Sequence, residues 1–292
     1  MKQLWRLAVL GDPIAHSLSP QIHKVFLESA GLEGQYQAIR CPVEDFKQTI
    51  SRLLDERYQG VNLTIPLKEI DLSCKSSADV ELIGAKNTLI LNSDKETVAE
   101  NTDWRGFCAS LPEDLEIRKV AILGLGGSAR AVAYGLRKSF QIEQITFFIR
   151  ESSSSRQRKS NFLSSNLYKF LLSENSTLSP APVIEFKTHE HPFDPEVDLI
   201  INTTPLGMSG ENLDRNPLQI RHYDGLQKAY FYDLIYSPFE TTFLRQAKAH
   251  GYRAQNGWEM LLWQAAFAFE LWTGISAQQL AQSFAKIPHQ DA

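Results

Sequence analysis

Five stretches of the chain bring together residue types that could do chemistry. In His16-Ser17-Leu18-Ser19-Pro20, two hydroxyls two positions apart precede a helical pattern. Ser17 and Ser19 could there bind an anion such as a carboxylate, or Ser19 could simply cap the helix with Pro20 at its first position. Asn62-Leu63-Thr64-Ile65-Pro66-Leu67-Lys68 sets Asn62 and Thr64 on one face of an extended segment, with Lys68 just past a proline turn. Gly84-Ala85-Lys86-Asn87-Thr88 and Glu100-Asn101-Thr102-Asp103-Trp104 are further polar clusters at strand ends, where α/β proteins gather their ligand sites. Taken singly, each of these four reads as a turn.

The fifth stretch is Gly124-Leu125-Gly126-Gly127-Ser128-Ala129-Arg130, which fits G-x-G-x-x-[G/A] directly after an apolar strand and opens a helix. Gly124 makes the tight turn, Gly126 lets the backbone approach a pyrophosphate, and Ala129 lets the helix pack closely on the strand. Free N–H groups at the helix N-terminus, around Gly127 and Ser128, then face the anion. The next strand ends at Ile149-Arg150-Glu151, near the expected adenosine ribose. Arg150 can pair with the 2′-phosphate of NADP, whereas Glu151 can accept from the free 2′-hydroxyl of NAD. Arg156, Arg158 and Lys159 follow and tilt the balance to NADP.

Positioning these stretches requires a particular set of elements. Strand signals at 7–10 and 60–66, helical spacing at 20–30 and 43–54, and a hairpin over 85–99 describe a first α/β unit. A second alternation begins at 119, with strands at 120–123, 144–149, 183–186, 199–202 and 229–235 and a helix from 131. That rhythm predicts a Rossmann-like, doubly wound parallel sheet. Residues 151–182 are expected to form a loop, a helix near 162–172 and another loop, and the chain from 241 to its end is expected to be helical. The expected fold class is therefore α/β with two domains. Residues 1–104 plus 240–292 would form the substrate-binding and catalytic domain, 105–239 the dinucleotide-binding domain, with the cleft between them.

Composition narrows the partners. Apolar residues make up 43% and charged residues 22%, and the net charge is −4, so neither a wholly disordered chain nor a basic nucleic-acid binder is indicated. Cys41, Cys74 and Cys108 have neither a disulfide framework nor a zinc spacing. With no signal-peptide core and no apolar run of membrane length, a cytoplasmic enzyme is expected, without metal, nucleic-acid or membrane partner, acting as a monomer or homodimer.

In combination and in order, the motifs resemble those of the shikimate dehydrogenase family: G-x-P-I-x-H-S-x-S-P, N-x-T-x-P-x-K, G-A-x-N-T, N-T-D, the glycine-rich loop, Tyr-Asp-x-x-Tyr-x-P, and a final helix bearing Gly, Met and Gln. The last two read Tyr232-Asp233-Leu234-Ile235-Tyr236-Ser237-Pro238 and Gly257-Trp258-Glu259-Met260-Leu261-Leu262-Trp263-Gln264. The resemblance runs from residue 11 to 274. It implies a reversible, NADP-dependent reduction of 3-dehydroshikimate to shikimate, a step toward the aromatic amino acids. By matching positions, Ser17 and Ser19, helped by Tyr236, would hold the substrate carboxylate, while Thr64, Asn87 and Gln264 would bond the ring hydroxyls. Lys68 and Asp103 would be the catalytic pair, and Gly124, Gly126, Gly127, Ser128, Ala129, Arg150, Leu234, Gly257 and Met260 would line the cofactor.

The pair makes chemical sense. Hydride reduction of a ketone leaves a developing alkoxide that needs a proton and a nearby positive charge; a lysine supplies both, and a carboxylate orients it. The sequence also departs from the family pattern. Glu151 follows Arg150 where Asn-Arg-Thr is common, and Ser154 stands where a second arginine is usual, which leaves NAD as an alternative cofactor. Two rival readings follow: a quinate/shikimate dehydrogenase using NAD or both cofactors, and a non-catalytic ligand-sensing homologue. The presence of both Lys68 and Asp103 weighs against the second.

Overall fold

A computed structural model describes residues 4–92, 96–173, 180–208 and 210–288. They form two compact units, the described residues of Met1–Gly106 with Leu262–His289, and those of Phe107–Leu261. No helix among the described residues is long and apolar enough to cross a membrane.

The first unit contains β1 (Trp5–Gly11), α1 (Ser19–Ser29), β2 (Gly34–Arg40), α2 (Phe46–Asp55), β3 (Gly60–Leu63), β4 (Lys75–Ser76), α3 (Ala78–Ile83), β5 (Thr88–Leu91), β6 (Thr97–Glu100) and the start of α4 (Asp103–Ser110). Its sheet runs β2-β1-β3-β5-β6-β4, parallel around β1 and antiparallel from β3 through β5 to β6. The continuous apolar run Leu7–Leu10 makes β1 a central strand: Ala8 and Leu10 join a core with Phe46, Ile50 and Leu53 of α2, and Leu7 and Val9, of opposite parity, are equally buried. Strand β2 carries no readable alternation because it lies at the sheet edge and buries only Tyr36.

The second unit contains β7 (Lys119–Leu123), α5 (Gly127–Ser139), β8 (Gln144–Ile149), α6 (Ser153–Leu163), α7 (Asn166–Leu171), β9 (Val183–Thr188), β10 (Leu199–Asn202), β11 (Tyr230–Asp233), α8 (Thr242–Ala249) and β12 (Arg253–Gln255). The strands are all parallel in the order β12-β11-β10-β7-β8-β9, the doubly wound arrangement expected. The order reverses between β7 and β10, so their carboxyl ends open the crevice where such sheets take ligands. Helix α9 (Trp258–Thr273) begins in this unit and ends in the first, followed there by α10 (Ala277–Ala281).

Two expectations need correction. Residues 153–163 are helical rather than loop: the Ser152 hydroxyl accepts from the Ser155 N–H at 3.1 Å and starts α6, which buries only Phe162 and so shows no apolar period. The helix expected near 162–172 is the short α7, and the second loop falls partly at 174–179, outside the described residues. The run from 241 is not helical throughout, because 253–255 pairs with β11 as an edge strand. The segment 240–261 consequently folds with the second unit, whereas the sequence groups it with the first. Three residues are too few to display a strand period, and only the ladder reveals them.

The described residues of Leu262–His289, with most of α9 and all of α10, belong to the first unit. Trp272 on α9 donates its indole N–H to the Leu89 carbonyl at 3.0 Å, and its ring lies where a side chain at Gly60 would stand. A glycine in β3 is therefore what lets the helix dock.

Candidate active site

In the first unit, four of the five sequence clusters converge. Lys68 sits on a one-turn 3-10 helix, Leu67–Glu69, that follows β3, and its Nζ lies 2.6 Å from Asp103 Oδ2. The Lys68 side chain is 23% exposed and that of Asp103 only 7%, so the amine reaches solvent from one side while the carboxylate is enclosed. Asp103 opens α4, where Asn101 Oδ1 accepts from the N–H groups of Asp103 at 3.0 Å and Trp104 at 3.4 Å. Asn101 is thus the capping residue that fixes where the carboxylate points.

Asn87 is the hub. Its Oδ1 accepts from the Thr102 backbone N–H at 2.7 Å, which orients the amide. Its Nδ2 then faces three acceptors: Asp103 Oδ1 at 2.8 Å, Thr102 Oγ1 at 2.9 Å and Gln264 Oε1 at 3.2 Å. Two protons shared among three acceptors leave one acceptor free for another donor. Below it, Asn62 Nδ2 donates to the Asn87 carbonyl at 3.2 Å and to Thr88 Oγ1 at 3.1 Å, and its Oδ1 accepts from the Tyr36 hydroxyl at 2.7 Å. Apart from the half-buried Gln264, these polar groups are buried and partnered, which holds the network rigid.

The serine turn joins this network. Ser19 does not cap α1; it is the first helical residue, and Leu18 at the cap contributes no side-chain bond. Instead Ser17 Oγ accepts from the Ser19 N–H at 3.3 Å, and the Ser19 hydroxyl bonds the Tyr36 phenol, whose pKa burial raises. The Ser17 hydroxyl, which only accepts here, keeps its proton for an anion, whereas the Ser19 hydroxyl must turn away from Tyr36 to offer one. Thr64 follows β3 with its methyl group where a Gly11 side chain would stand. His23 stacks on Tyr36, with centroids 4.1 Å apart and planes 3° off parallel. Burial lowers its pKa to about 3, so it is a neutral core ring and no proton donor at ordinary pH. Lys86 is more buried than Lys68, but its ammonium donates to the Ile70 carbonyl, and burial lowers its pKa.

Tyr36, Asn62, Thr88, Asn101 and Thr102 build the site without being among the sequence candidates for a role in it. Asn62, Thr88, Asn101 and Thr102 carry a signal in the motifs themselves; Tyr36, alone on an edge strand, carries none.

The second unit holds the remaining candidates: Gly124, Gly126, Gly127, Ser128, Ala129, Arg150, Leu234, Tyr236, Gly257 and Met260. Gly124 has φ +109° and would press a side chain to 2.8 Å from Thr203 Oγ1, so the turn requires glycine. Gly126 caps α5 with an extended backbone and no side-chain bond, and a Cβ added there meets nothing within 4 Å. The open space before a helix N-terminus, with Ala129 fully buried behind it, suits a pyrophosphate. Arg150 is exposed at the end of β8. Gly257 packs against the backbone of Leu234, whose carbonyl oxygen an added Cβ would strike, and its N–H donates to the Ile235 carbonyl at 3.0 Å. Met260 is buried in the first turn of α9, and Tyr236 lies on the loop after β11 with its pKa raised by burial.

Asn202-Thr203-Thr204, absent from the sequence candidates, ties these strand ends together. Thr203 Oγ1 donates to the Leu123 carbonyl at 2.6 Å, and Asn202 Nδ2 donates to Asp233 Oδ1 at 3.0 Å. Asp233 is fully buried, also accepts from Thr241 Oγ1 at 2.6 Å and the Ile235 N–H at 3.0 Å, and has its pKa raised to about 7 by desolvation. The fold thus retains this proton to a higher pH than the unfolded chain, so stability is lost as pH rises from about 4 to about 7. Asp233→Asn keeps an acceptor for Asn202 and Ile235 while Thr241 turns to accept. The expected result is a stability gain at pH 8 that exceeds any gain at pH 5 by on the order of 2 kcal/mol, read from urea melts at both pH values. A pH-independent effect would assign the charged form to the fold throughout.

Comparison with known proteins agrees with this geometry. Residues 9–89 match the family model described as the shikimate dehydrogenase substrate binding domain, and residues 257–279 match that of the shikimate 5′-dehydrogenase C-terminal domain. The chain is 35% identical over 272 residues to the shikimate dehydrogenase (NADP(+)) of Prochlorococcus marinus subsp. pastoris, covering 91% of each. It is 36% identical over 276 residues to the enzyme of the same name from Thermus thermophilus, covering 92% of this chain and 93% of that one. The crystal structure of shikimate 5-dehydrogenase from Thermus thermophilus, in complex with NADP(H) and shikimate, superposes with a TM-score of 0.76 at 31% identity, covering 97% of this chain and all of the other.

Proposed function

Because the chain belongs to the shikimate dehydrogenase family, we propose that it interconverts 3-dehydroshikimate and shikimate with NADP(H), with Lys68 and Asp103 as its catalytic pair. When bound, the dinucleotide supplies or accepts the hydride. In the reducing direction the Lys68 ammonium donates a hydrogen bond to the ketone oxygen and stabilises the charge that grows on it. The Lys68–Asp103 pair delivers the proton that turns this oxygen into a hydroxyl, and is reprotonated from solvent along the exposed side of Lys68. Asp103 holds the amine through Oδ2, while Asn87 holds Asp103 through Oδ1.

Ser17 and Ser19 bind the substrate carboxylate, and Thr64, Asn87 and Gln264 bond the ring hydroxyls. Gly124, Gly126, Gly127, Ser128 and Ala129 form the pyrophosphate cradle, with Arg150 toward the 2′-phosphate. The single observation that carries the assignment is the 2.6 Å ion pair inside the Asn87 network. Three unpaired cysteines are consistent with a reducing cytoplasm.

Initial rates of shikimate oxidation with NADP, alongside NAD and quinate, test the reading. Growth of nicotinamide absorbance with shikimate and NADP is expected. Faster turnover of quinate with NAD would favour the rival enzyme, a preference toward which Glu151 pulls. Ligand binding without turnover on either substrate would make the chain a sensor.

A further inference from the structure

The end of the second sheet carries a cluster of basic groups that the mechanism above does not use. Strands β8 and β9 run parallel with Ile149 opposite Thr188, so Arg150 and His189 are the next residues out of the sheet, side by side at its carboxyl edge. Arg150 is exposed and His189 half-buried, with its Nδ1 enclosed and lacking a hydrogen-bond partner among the described residues. A second imidazole, His222, approaches from the 3-10 turn Ile220–Tyr223; it is 3% exposed, its Nδ1 is engaged with Gln219 at 3.2 Å, and its buried Nε2 has no partner among the described residues. The permanent charge acting on His189 is the Arg150 guanidinium, of the sign the protonated ring would carry, and Arg221 of the same 3-10 turn as His222 donates to the Glu190 carbonyl at 3.4 Å. The carboxylate-bearing neighbours in the chain, Glu151 and Glu190, are exposed. His191 is engaged with Thr188 Oγ1 at 2.9 Å.

A permanent cation beside an imidazole whose enclosed nitrogen lacks a partner among the described residues, set where the adenosine ribose of a doubly wound sheet lies, calls for an anion. Resting on the NADP reading above, we infer that His189 is a second, titratable cation for the 2′-phosphate, acting beside Arg150 and making the choice of NADP over NAD dependent on pH. In the free protein, burial and the Arg150 charge hold the His189 pKa below its ordinary value. A phosphate dianion placed against the ring favours the imidazolium, so binding draws a proton onto His189. The phosphate contact is therefore strongest on the acid side and weakens as pH rises through the bound-state pKa of His189. The phosphate's own protonation, with a pKa of about 6, works in the opposite direction and sets the lower limit of the useful range.

Calorimetric titration with 2′,5′-ADP and with 5′-AMP isolates the 2′-phosphate contribution as a ratio of dissociation constants. For the wild-type chain the ratio favouring 2′,5′-ADP is expected to fall roughly fivefold between pH 6.5 and 8.5, the scale of one charge-assisted hydrogen bond at a partly exposed site. His189→Gln is expected to show a smaller ratio at pH 6.5 with no decline toward pH 8.5. Repeating the wild-type titration at pH 7 in buffers of different ionisation enthalpy reads the proton uptake directly, without relying on a variant. A ratio that does not fall with pH in the wild type, or uptake equal for both ligands, overturns the role of His189 while leaving the NADP reading intact. Failure of 2′,5′-ADP and NADPH to bind at all would instead sink the cofactor reading itself.

Discussion

Lys68→Ala is expected to lower kcat for shikimate oxidation by about a thousandfold, within the range of a lost general acid–base group combined with a lost charge at the developing alkoxide. The fall should appear in kcat more than in KM, because the Ser17–Ser19 turn and the Asn87 network remain in place. NADPH affinity, measured by fluorescence titration, should stay near the wild-type value, since the glycine loop belongs to the other compact unit. Arginine at position 68 should not rescue turnover: its guanidinium keeps the charge but does not surrender a proton, and its planar fork does not fit the site of a point-like ammonium. Asp103→Asn should lower kcat as well, by about a hundredfold, because the amine loses the partner that aims it while Asn87 retains a polar neighbour. Near-wild-type turnover by Lys68→Ala would remove this lysine from the chemistry and, with it, the proposed mechanism.

Gly126→Ala should separate binding from folding. The backbone at Gly126 has φ −85° and ψ −172°, an extended conformation open to any residue, and an added methyl group meets nothing within 4 Å. The thermal midpoint should therefore stay within a degree or two of wild type. The methyl would nevertheless occupy the space that a pyrophosphate must enter to reach the α5 N-terminus, so NADPH affinity should fall about 10- to 100-fold, a loss of roughly 1.4–2.8 kcal/mol. Gly124→Ala makes the contrast, since φ +109° and the 2.8 Å approach to Thr203 Oγ1 predict lost stability as well as lost binding. Unchanged NADPH affinity in Gly126→Ala would move the pyrophosphate away from this turn.

Features encoded within a few neighbouring residues were legible from the chain alone. Strand β7 running into Gly124-Leu125-Gly126 announces both the Rossmann-like sheet and its anion-binding turn, because an apolar run and obligatory small residues leave a local signature. The motifs holding Lys68, Asn87 and Asp103 were visible for the same reason, although only their ordered resemblance to a family gave them roles. Elements whose existence depends on a neighbour stayed hidden: β2 buries one side chain, β12 is three residues long, and α6 buries only Phe162.

Tertiary structure alone decided which groups meet. Lys68 and Asp103 are 35 positions apart and Asn87 and Gln264 are 177 apart, yet each pair is within hydrogen-bonding distance. Arg150 and His189, distant in sequence, likewise become neighbours only through the pairing of β8 with β9. Periodicity and turn chemistry are set by backbone sterics over one or two turns of chain, so a sequence displays them directly. Convergence of distant polar groups is set by the packing of sheets and helices, and it becomes visible only once those layers are assembled.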